Sequence, residues 1–336
     1  MKTLTVNIPE HQYNIYIGNN LLGKIGNLAD LRRKVMIVTD EGVPKIYADN
    51  VYRQCGEAYV ERLPQGEGSK SFAGLERILS SLLEKNFSRR DLIIALGGGV
   101  MGDLAGFAAA VYMRGIDFIN IPTTTLSQID SSIGGKTAIN LNGVKNIVGA
   151  FYQPKAVFID TDTLSTLTER HYLNGLAEAV KAGMIADAEL FEQFEKLSLE
   201  EIKNEIEDIV SAAVKVKKYV VEQDEKEAGL RKILNFGHTL GHGIESLYNL
   251  SGLYHGEAVA IGMMLITENP EIKKRLSRVL QKLNLPVSVK YDKEQVLEIV
   301  GHDKKAGGKE IDLISVNQIG KAEIKKTPLT AMGRYL

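Results

Sequence analysis

Three of the six histidines, His238, His242 and His255, lie close together in the chain. NFGHTLGH sets His238 and His242 four residues apart, on one face of a helix. His255 stands in LYHGEA, directly before another helical stretch. Glu178 lies in LNGLAEAVKAG, a helix of small residues in which a carboxylate must be paired or ligated. Two imidazoles and a carboxylate form a donor set for zinc or a similar divalent ion, with one position open to substrate. Spacing alone nominates His238 and His242, and leaves open which two of the three histidines bind. Taken singly, each histidine reads as a helix-surface or core residue satisfied by backbone. Glycines at 237, 241, 243 and 256 mark close approach of backbone to a ligand or to another helix.

A second chemistry is written in LGGGVMGD, from Leu96 to Asp103, and PTTTLSQIDSSIGGK, from Pro122 to Lys136. Glycines, hydroxyls and a closing lysine let backbone N–H groups approach a negatively charged ligand. The two loops are expected to face one another across a phosphate-rich ligand. The glycine triplet alone reads as a tight turn. Lys145 and Asn146 follow in a Gly-Val-Lys-Asn stretch. Asp40 ends an apolar run, where a carboxylate either meets a ribose hydroxyl or caps a turn. PQGEGSK, Pro64 to Lys70, is a polar loop that alone reads as a surface connection. Lys217 and the pair Lys304–Lys305 read as solvated charges, whereas Arg231 and Lys181 are flanked by apolar residues and glycines.

The elements that position these groups follow from periodicity. Thr3–Ile8 and Tyr13–Ile17 alternate as paired strands. Leu21–Leu31 reads as a helix. Lys34–Thr39, Tyr59–Leu63, Asp91–Leu96, Asp117–Ile121 and Ala156–Asp160 read as strands. Ser71–Lys85 and Leu104–Tyr112 are helices between them. Strands alternating with helices imply a parallel sheet covered on both faces. Beyond residue 165 helical spacing dominates: Glu169–Met184, Ala188–Lys196, Leu199–Val221, Ile233–Leu247, Glu257–Thr267, Ile272–Leu283 and Lys293–Val300. Ile311–Val316 is a last strand. The expected fold is an α/β Rossmann-like nucleotide-binding domain over 1–165, then a mostly α-helical metal- and substrate-binding domain over 166–336.

Composition sets the class. The chain has 336 residues, 44% hydrophobic and 25% charged, with a net charge of -1. That balance offers no basic field for nucleic acid or an anionic membrane. Cys55 is the only cysteine, so no intramolecular disulfide forms and a reducing compartment follows. No apolar run suits a signal peptide or a membrane span, and a cytoplasmic location is expected.

PQGEGSK, LGGGVMGDLAGF, YMRGIDFINIPTTTLSQIDSSIGGKTAIN, GVKNIVGAFYQP, NGLAEAVKAG, DEKEAGLRKILNFGHTLGHGIE and HGEAVAIGM occur together and in order. With them the chain resembles the 3-dehydroquinate synthase family, within the sugar-phosphate cyclases. The resemblance implies a lyase of the shikimate pathway to chorismate and the aromatic amino acids, with NAD, one divalent metal (zinc or cobalt) and a homodimeric state. It implies metal ligands Glu178, His238 and His255, with His242 turned to substrate. NAD is implied to meet Asp40, Gly66, Glu67, Lys70, Gly99, Val100, Met101, Gly102, Asp103, Thr123, Thr124, Lys136, Lys145, Thr163, Leu164, Ser165 and Thr166. Substrate is implied at Asp130, Lys136, Asn146, Lys181, Lys217, Arg231, Asn235, His242 and Lys305, with Arg114 reaching a phosphate across the dimer. The implied reaction converts 3-deoxy-D-arabino-heptulosonate 7-phosphate to 3-dehydroquinate and phosphate. Its steps are transient oxidation at C5, β-elimination of phosphate, reduction, ring opening and intramolecular aldol closure. LITENPEIKKRL, after HGEAVAIGM, is shorter than the family pattern.

Three rivals remain. Another sugar-phosphate cyclase shares most motifs, but Asn235 and Arg231, placed for a carboxylate, favour the dehydroquinate branch. A metal-dependent polyol dehydrogenase has no need of DSSIGGK and releases NADH. A catalytically dead nucleotide-binding subunit would have lost ligands or lysines, and this chain keeps them.

Overall fold

The computed structural model describes residues 1–248, 252–303 and 310–336. The chain divides into two compact units, Met1–Thr168 and Glu169–Leu336.

The first unit is built on a seven-stranded sheet of order β1-β2-β9-β6-β5-β3-β4. Its strands are β1 (Lys2–Ile8), β2 (His11–Gly18), β3 (Lys34–Asp40), β4 (Glu57–Leu63), β5 (Leu92–Gly97), β6 (Asp117–Pro122) and β9 (Ala156–Asp160). Only β1 runs antiparallel, paired with β2 from Lys2↔Ile17 to Ile8↔His11. Alternate residues of the central strands feed two cores. Met36, Val38, Ile93 and Ala95 face one core. Val35, Ile37, Leu92 and Ile94 face the other. Burial on both faces is why these strands read as unbroken apolar runs. Helices α1 (Lys45–Tyr52), α2 (Phe72–Glu84) and α3 (Gly99–Val111) link them. Outside the main sheet, β7 (Lys136–Leu141) and β8 (Val144–Phe151) form an antiparallel ribbon. Asn142 and Gly143 turn it at φ 51° and 79°, the left-handed pair a tight hairpin needs.

The second unit carries α4 (Glu169–Ala186), α5 (Ala188–Lys196), α6 (Leu199–Asn204), α7 (Ile206–Gln223), α8 (His238–Leu247), α9 (His255–Ile266), α10 (Pro270–Lys282) and α11 (Lys293–Asp303). An antiparallel ribbon, β10 (Glu310–Gln318) and β11 (Lys321–Pro328), follows. Helix α4 is buried from Tyr172 to Ile185. The α8–α9 pair crosses at glycines. Gly237 takes φ 80°, and a side chain on it would also meet the Val259 carbonyl at 2.7 Å.

Four expectations need correction. Leu21–Leu31 is a loop with one 3-10 turn, Ile25–Asn27. Gly23 and Gly26 weaken a helix there, and Leu21, Leu22, Ile25 and Leu31 serve as separate apolar anchors. Leu199–Val221 is two helices, broken where Glu205 leaves helical geometry. Ile233–Leu247 is a 3-10 turn, Leu230–Asn235, and then α8. Gly99 to Asp103 is the first turn of α3 rather than a loop, so the turn itself is only Gly97–Gly98.

Candidate functional sites

In the second unit, α4 supplies Glu178 and Lys181, both almost fully buried. The carboxylate of Glu178 contacts Lys181 Nζ. Its Oε1 lies 3.5 Å from His238 Nε2 and 3.5 Å from His255 Nε2. Among the described residues neither Glu178 oxygen makes a well-directed hydrogen bond. The Lys181 ammonium compensates this buried carboxylate. Donors about 2.0–2.1 Å from one zinc at tetrahedral angles stand about 3.3 Å apart, close to the separations found.

The other ring nitrogens are held from behind. His238 Nδ1 is 3.2 Å from the Phe236 carbonyl, which can only accept, so Nδ1 carries the proton and Nε2 keeps its lone pair. His255 Nδ1 lies 3.3 Å from Glu245 Oε2. Outer partners of this kind orient ligand imidazoles. His242 joins the cluster, with ring centroids 5.1 Å from His238 and 5.5 Å from His255. The nitrogens of the three histidines fall within 4.8 Å of one another.

The charges of the site are set by its neighbours. Burial opposes ionisation of Glu178, yet Lys181 and then the histidines hold its pKa well below the ordinary glutamate range. Burial and Lys181 hold His238 well below its usual value, so it is neutral. Burial lowers His255, but hydrogen bonds to Glu178 and Glu245 outweigh it and push its pKa up to about 9. Glu178 Oε1 thus lies near the Nε2 atoms of both His238 and His255, and His242 lies in the same histidine cluster. These imidazoles and this carboxylate are donor types that fit a divalent metal.

The remaining nominated groups of this unit are described as follows. Lys217 is buried on α7, and Arg231 is 2% exposed in the 3-10 turn before α8. Arg231 Nη1 donates to the Glu225 carbonyl, and its backbone N–H donates to Asp224 Oδ2 at 3.0 Å. Asn235 Nδ2 donates to Glu227 Oε1 at 2.6 Å. Lys304 and Lys305 lie outside the described residues.

In the first unit the two loops touch one another. The Thr123 N–H donates to the Gly97 carbonyl at 2.9 Å. A side chain on Gly98 would reach Thr124 Cγ2 at 3.2 Å, and one on Gly99 would reach Ser131 Oγ at 3.0 Å. Among the described residues no side chain caps the N terminus of α3. Its first N–H groups and helix dipole are the donors left for an anion.

Lys70 ties that helix to its surroundings. It is 5% exposed, and its Nζ bonds Asp103 Oδ2 at 2.5 Å and also Asn146 Oδ1. Asn140 completes the link, donating from Nδ2 to Glu67 Oε1 at 2.7 Å and accepting from the Asn146 N–H at 2.9 Å. PQGEGSK is thus a built part of this site. Gly66 within it sits at φ 105°.

Asp40 closes its own turn, accepting from the Gly42 N–H at 2.8 Å, and burial raises its pKa. Thr124 and Ser127 bond each other across a turn at 2.8 Å. Asp130 is half-buried on the π-turn Ser127–Ser131, while Lys136, Lys145 and Asn146 are exposed on the ribbon. Thr163 and Ser165 spend their hydroxyls on Asp160 and Asp162 carbonyls, and Leu164 is core. Thr166 Oγ1 donates to the Thr163 carbonyl. Arg114 is exposed at φ 67°, between Met113 and Gly115, which also have positive φ.

Sequence reasoning missed Asn140, Asn174, Glu245 and the Phe236 carbonyl. The available signal was an asparagine inside an apolar helix at 174, a residue type that disfavours helix interiors.

Family profiles described as 3-dehydroquinate synthase N-terminal and C-terminal match residues 60–174 and 175–306. The chain is 41% identical to the 3-dehydroquinate synthase of Enterococcus faecalis, over 99% of this chain and 98% of that one. A solved 2-deoxy-scyllo-inosose synthase, complexed with carbaglucose-6-phosphate, NAD+ and Co2+, superposes with a TM-score of 0.89 at 26% identity, covering 99% of this chain and 98% of that chain. A 2-epi-5-epi-valiolone synthase from Streptomyces hygroscopicus, with NAD+ and Zn2+ bound, gives 0.85 at 26% identity, covering 96% and 94%.

Proposed function

The chain belongs to the 3-dehydroquinate synthase family, and we propose that it converts 3-deoxy-D-arabino-heptulosonate 7-phosphate to 3-dehydroquinate and phosphate, with NAD and one divalent metal. The observation that carries this reading is the convergence of Glu178 Oε1 with the Nε2 atoms of His238 and His255, inside a chain of this family. When bound, NAD supplies a reversible hydride acceptor and the metal a Lewis acid that polarises the hydroxyl to be oxidised.

The residues of the chain then have separable tasks. Glu178, His238 and His255 hold the metal. Phe236 and Glu245 fix the ring orientations, and a metal at His255 would displace its Nε2 proton. His242 faces substrate. In the first unit, the α3 N terminus at Gly99 to Asp103 takes the pyrophosphate of NAD, and Lys70 fixes that helix against Glu67 and Asn146. Asp40, Thr123, Thr124, Lys145 and the turn from Thr163 to Thr166 complete the NAD site.

Substrate is held by charge. Arg231 and Lys217 pair with its carboxylate, where a planar guanidinium suits two-point bonding. Lys136, Asn146 and His242 hold the departing phosphate, which serves as the base that removes the neighbouring carbon-bound proton. Asp130, Lys181, Asn235 and Lys305 orient the ring, and Arg114 reaches the phosphate site of a second subunit in a homodimer. Keeping one flexible intermediate oriented through several steps is the main demand on the protein. Among the described residues no helix is long and apolar enough to cross a membrane, and we assign the enzyme to the cytoplasm.

The test is product identity. Incubated with 3-deoxy-D-arabino-heptulosonate 7-phosphate, NAD and zinc or cobalt, the protein forms 3-dehydroquinate, read by proton NMR, and leaves glucose 6-phosphate unchanged. Turnover of glucose 6-phosphate in place of the heptulosonate would move the chain to another cyclase reaction.

A further inference from the structure

We infer that Asn174 is a positioning residue: it docks the first turn of α9 on α4 and so sets His255 at metal-binding distance from Glu178. This role rests on the reading of Glu178, His238 and His255 as the metal ligands. Asn174 and Glu178 are four residues apart on α4 and share one face. The Asn174 side chain is buried, 5% exposed. Its Oδ1 accepts from the Gly256 N–H at 2.7 Å and the Glu257 N–H at 3.3 Å.

Those N–H groups belong to the first turn of α9, where a helix leaves donors without partners. Asn174 performs the capping from another helix. His255, the residue just before those two donors, is thereby fixed to the element that carries Glu178. The approach is as close as backbones allow: a side chain on Gly256 would lie 1.9 Å from the Asn174 carbonyl oxygen.

Arg170 reinforces the same face one turn earlier. Its Nε and Nη2 donate to Glu257 Oε1 and Oε2, each at 2.7 Å. Glu257 Oε2 in turn accepts from the Tyr254 N–H at 2.9 Å. Arg170, Asn174 and Glu178 thus address Glu257, the Gly256 N–H and His255 in succession. The amide of Asn174 neither titrates nor touches the point where the three ligands converge, so its effect runs through His255.

The test compares the wild type with Asn174→Ala, Asn174→Ser, Asn174→Asp, Glu178→Gln and a remote core variant, Val210→Ala. Each full-length protein is titrated with Co2+, read by visible d–d absorption and by competition with a chelator. Thermal midpoints are measured in parallel without added metal. Loss of an outer partner weakens metal binding by about 10–100-fold, the shift expected for N174A. N174S gives a smaller loss, and N174D, which keeps an acceptor in place, recovers most of the affinity. V210A lowers the midpoint and leaves the Co2+ affinity unchanged. Wild-type Co2+ affinity in N174A, or in N174S should N174A not fold, would overturn the role, as would equal weakening in N174A and N174D. If E178Q binds Co2+ as tightly as the wild type, the metal-site reading fails and the positioning role falls with it. If E178Q loses binding while N174A keeps it, only the positioning role fails.

Discussion

Gly262 of α9 faces the start of α8 across the closest contact of the metal-site helices. A methyl group there would lie 1.9 Å from the Gly237 carbonyl oxygen, 2.8 Å from its carbon and 2.9 Å from the Gly241 nitrogen. All three are backbone atoms, so no side chain can turn aside. Ordinary contact begins near 3.4 Å, so Gly262→Ala must part the helices by about 1.5 Å. Helix α8 begins with His238 and α9 with His255, so the parting acts directly on the separation of two metal ligands. Ligand distances in such sites hold to about 0.2 Å, far less than this shift. Overpacking costs about 1–3 kcal/mol, which leaves the protein folded with a lower thermal midpoint. Misplacement of about 1 Å in a reacting constellation costs about 100-fold. G262A should therefore lose at least that factor in turnover and bind Co2+ more weakly, while NAD affinity stays at the wild-type level. Co2+ titration, NAD fluorescence quenching and steady-state phosphate release measure the three quantities. A G262A protein with wild-type Co2+ affinity and turnover would refute the placement of the ligands on these two helices.

Other consequences are equally direct. His242→Ala should keep Co2+ affinity within a small factor yet lose turnover, whereas His238→Ala should lose both; Co2+ titration beside phosphate release separates them. Lys70→Met removes the charge-assisted hydrogen bond to the half-buried Asp103, a change that costs about 1.5–3 kcal/mol; calorimetry should show a lower midpoint and NAD titration a weaker affinity. Burial opposes ionisation of Glu257, but Arg170 and the Tyr254 N–H lower its pKa below the ordinary glutamate value. A depressed carboxylate stabilises the fold at pH above its unfolded pKa, and that contribution is lost as pH falls through the folded pKa. Glu257→Gln should thus lower the thermal midpoint near neutrality and converge on the wild type in acid, as scanning calorimetry across pH would show.

Much of this architecture is legible in the sequence because burial on both sheet faces writes unbroken apolar runs, as in KVMIVT and DLIIAL. The ribbon β7–β8 escaped that reading. Strand β7 buries only Thr137, Ala138 and Ile139, β8 is largely exposed, and Asn142–Gly143 alone marks the turn between them. The strand β11, KAEIKKTP, was hidden for the same reason: Lys321, Glu323, Lys325 and Lys326 are exposed. Leu21–Leu31 misled in the opposite direction, because apolar anchors on a loop mimic helical spacing. At the candidate site, residue types and spacing nominated Glu178 and the three histidines, and the choice of His238 and His255 came from the family resemblance. The second tier could not be read that way. Asn174 and Glu245 act through hydrogen bonds between separate helices, and the Phe236 carbonyl through the local turn before α8, whose geometry the spacing does not signal. Lys70 could be nominated from PQGEGSK, but its pairing with Asp103 and Asn146 depends on how the loop, α3 and the ribbon come together.

The account turns on NAD being recycled within each turnover at a metal-dependent site. The most direct measurement follows phosphate and absorbance at the NADH wavelength together, with 3-deoxy-D-arabino-heptulosonate 7-phosphate in excess over a substoichiometric amount of NAD, before and after chelation. The account predicts many phosphates released per NAD, no net NADH, loss of release on chelation and recovery with zinc or cobalt. Phosphate release that stops after one equivalent of NAD, with NADH accumulating in step, would contradict it.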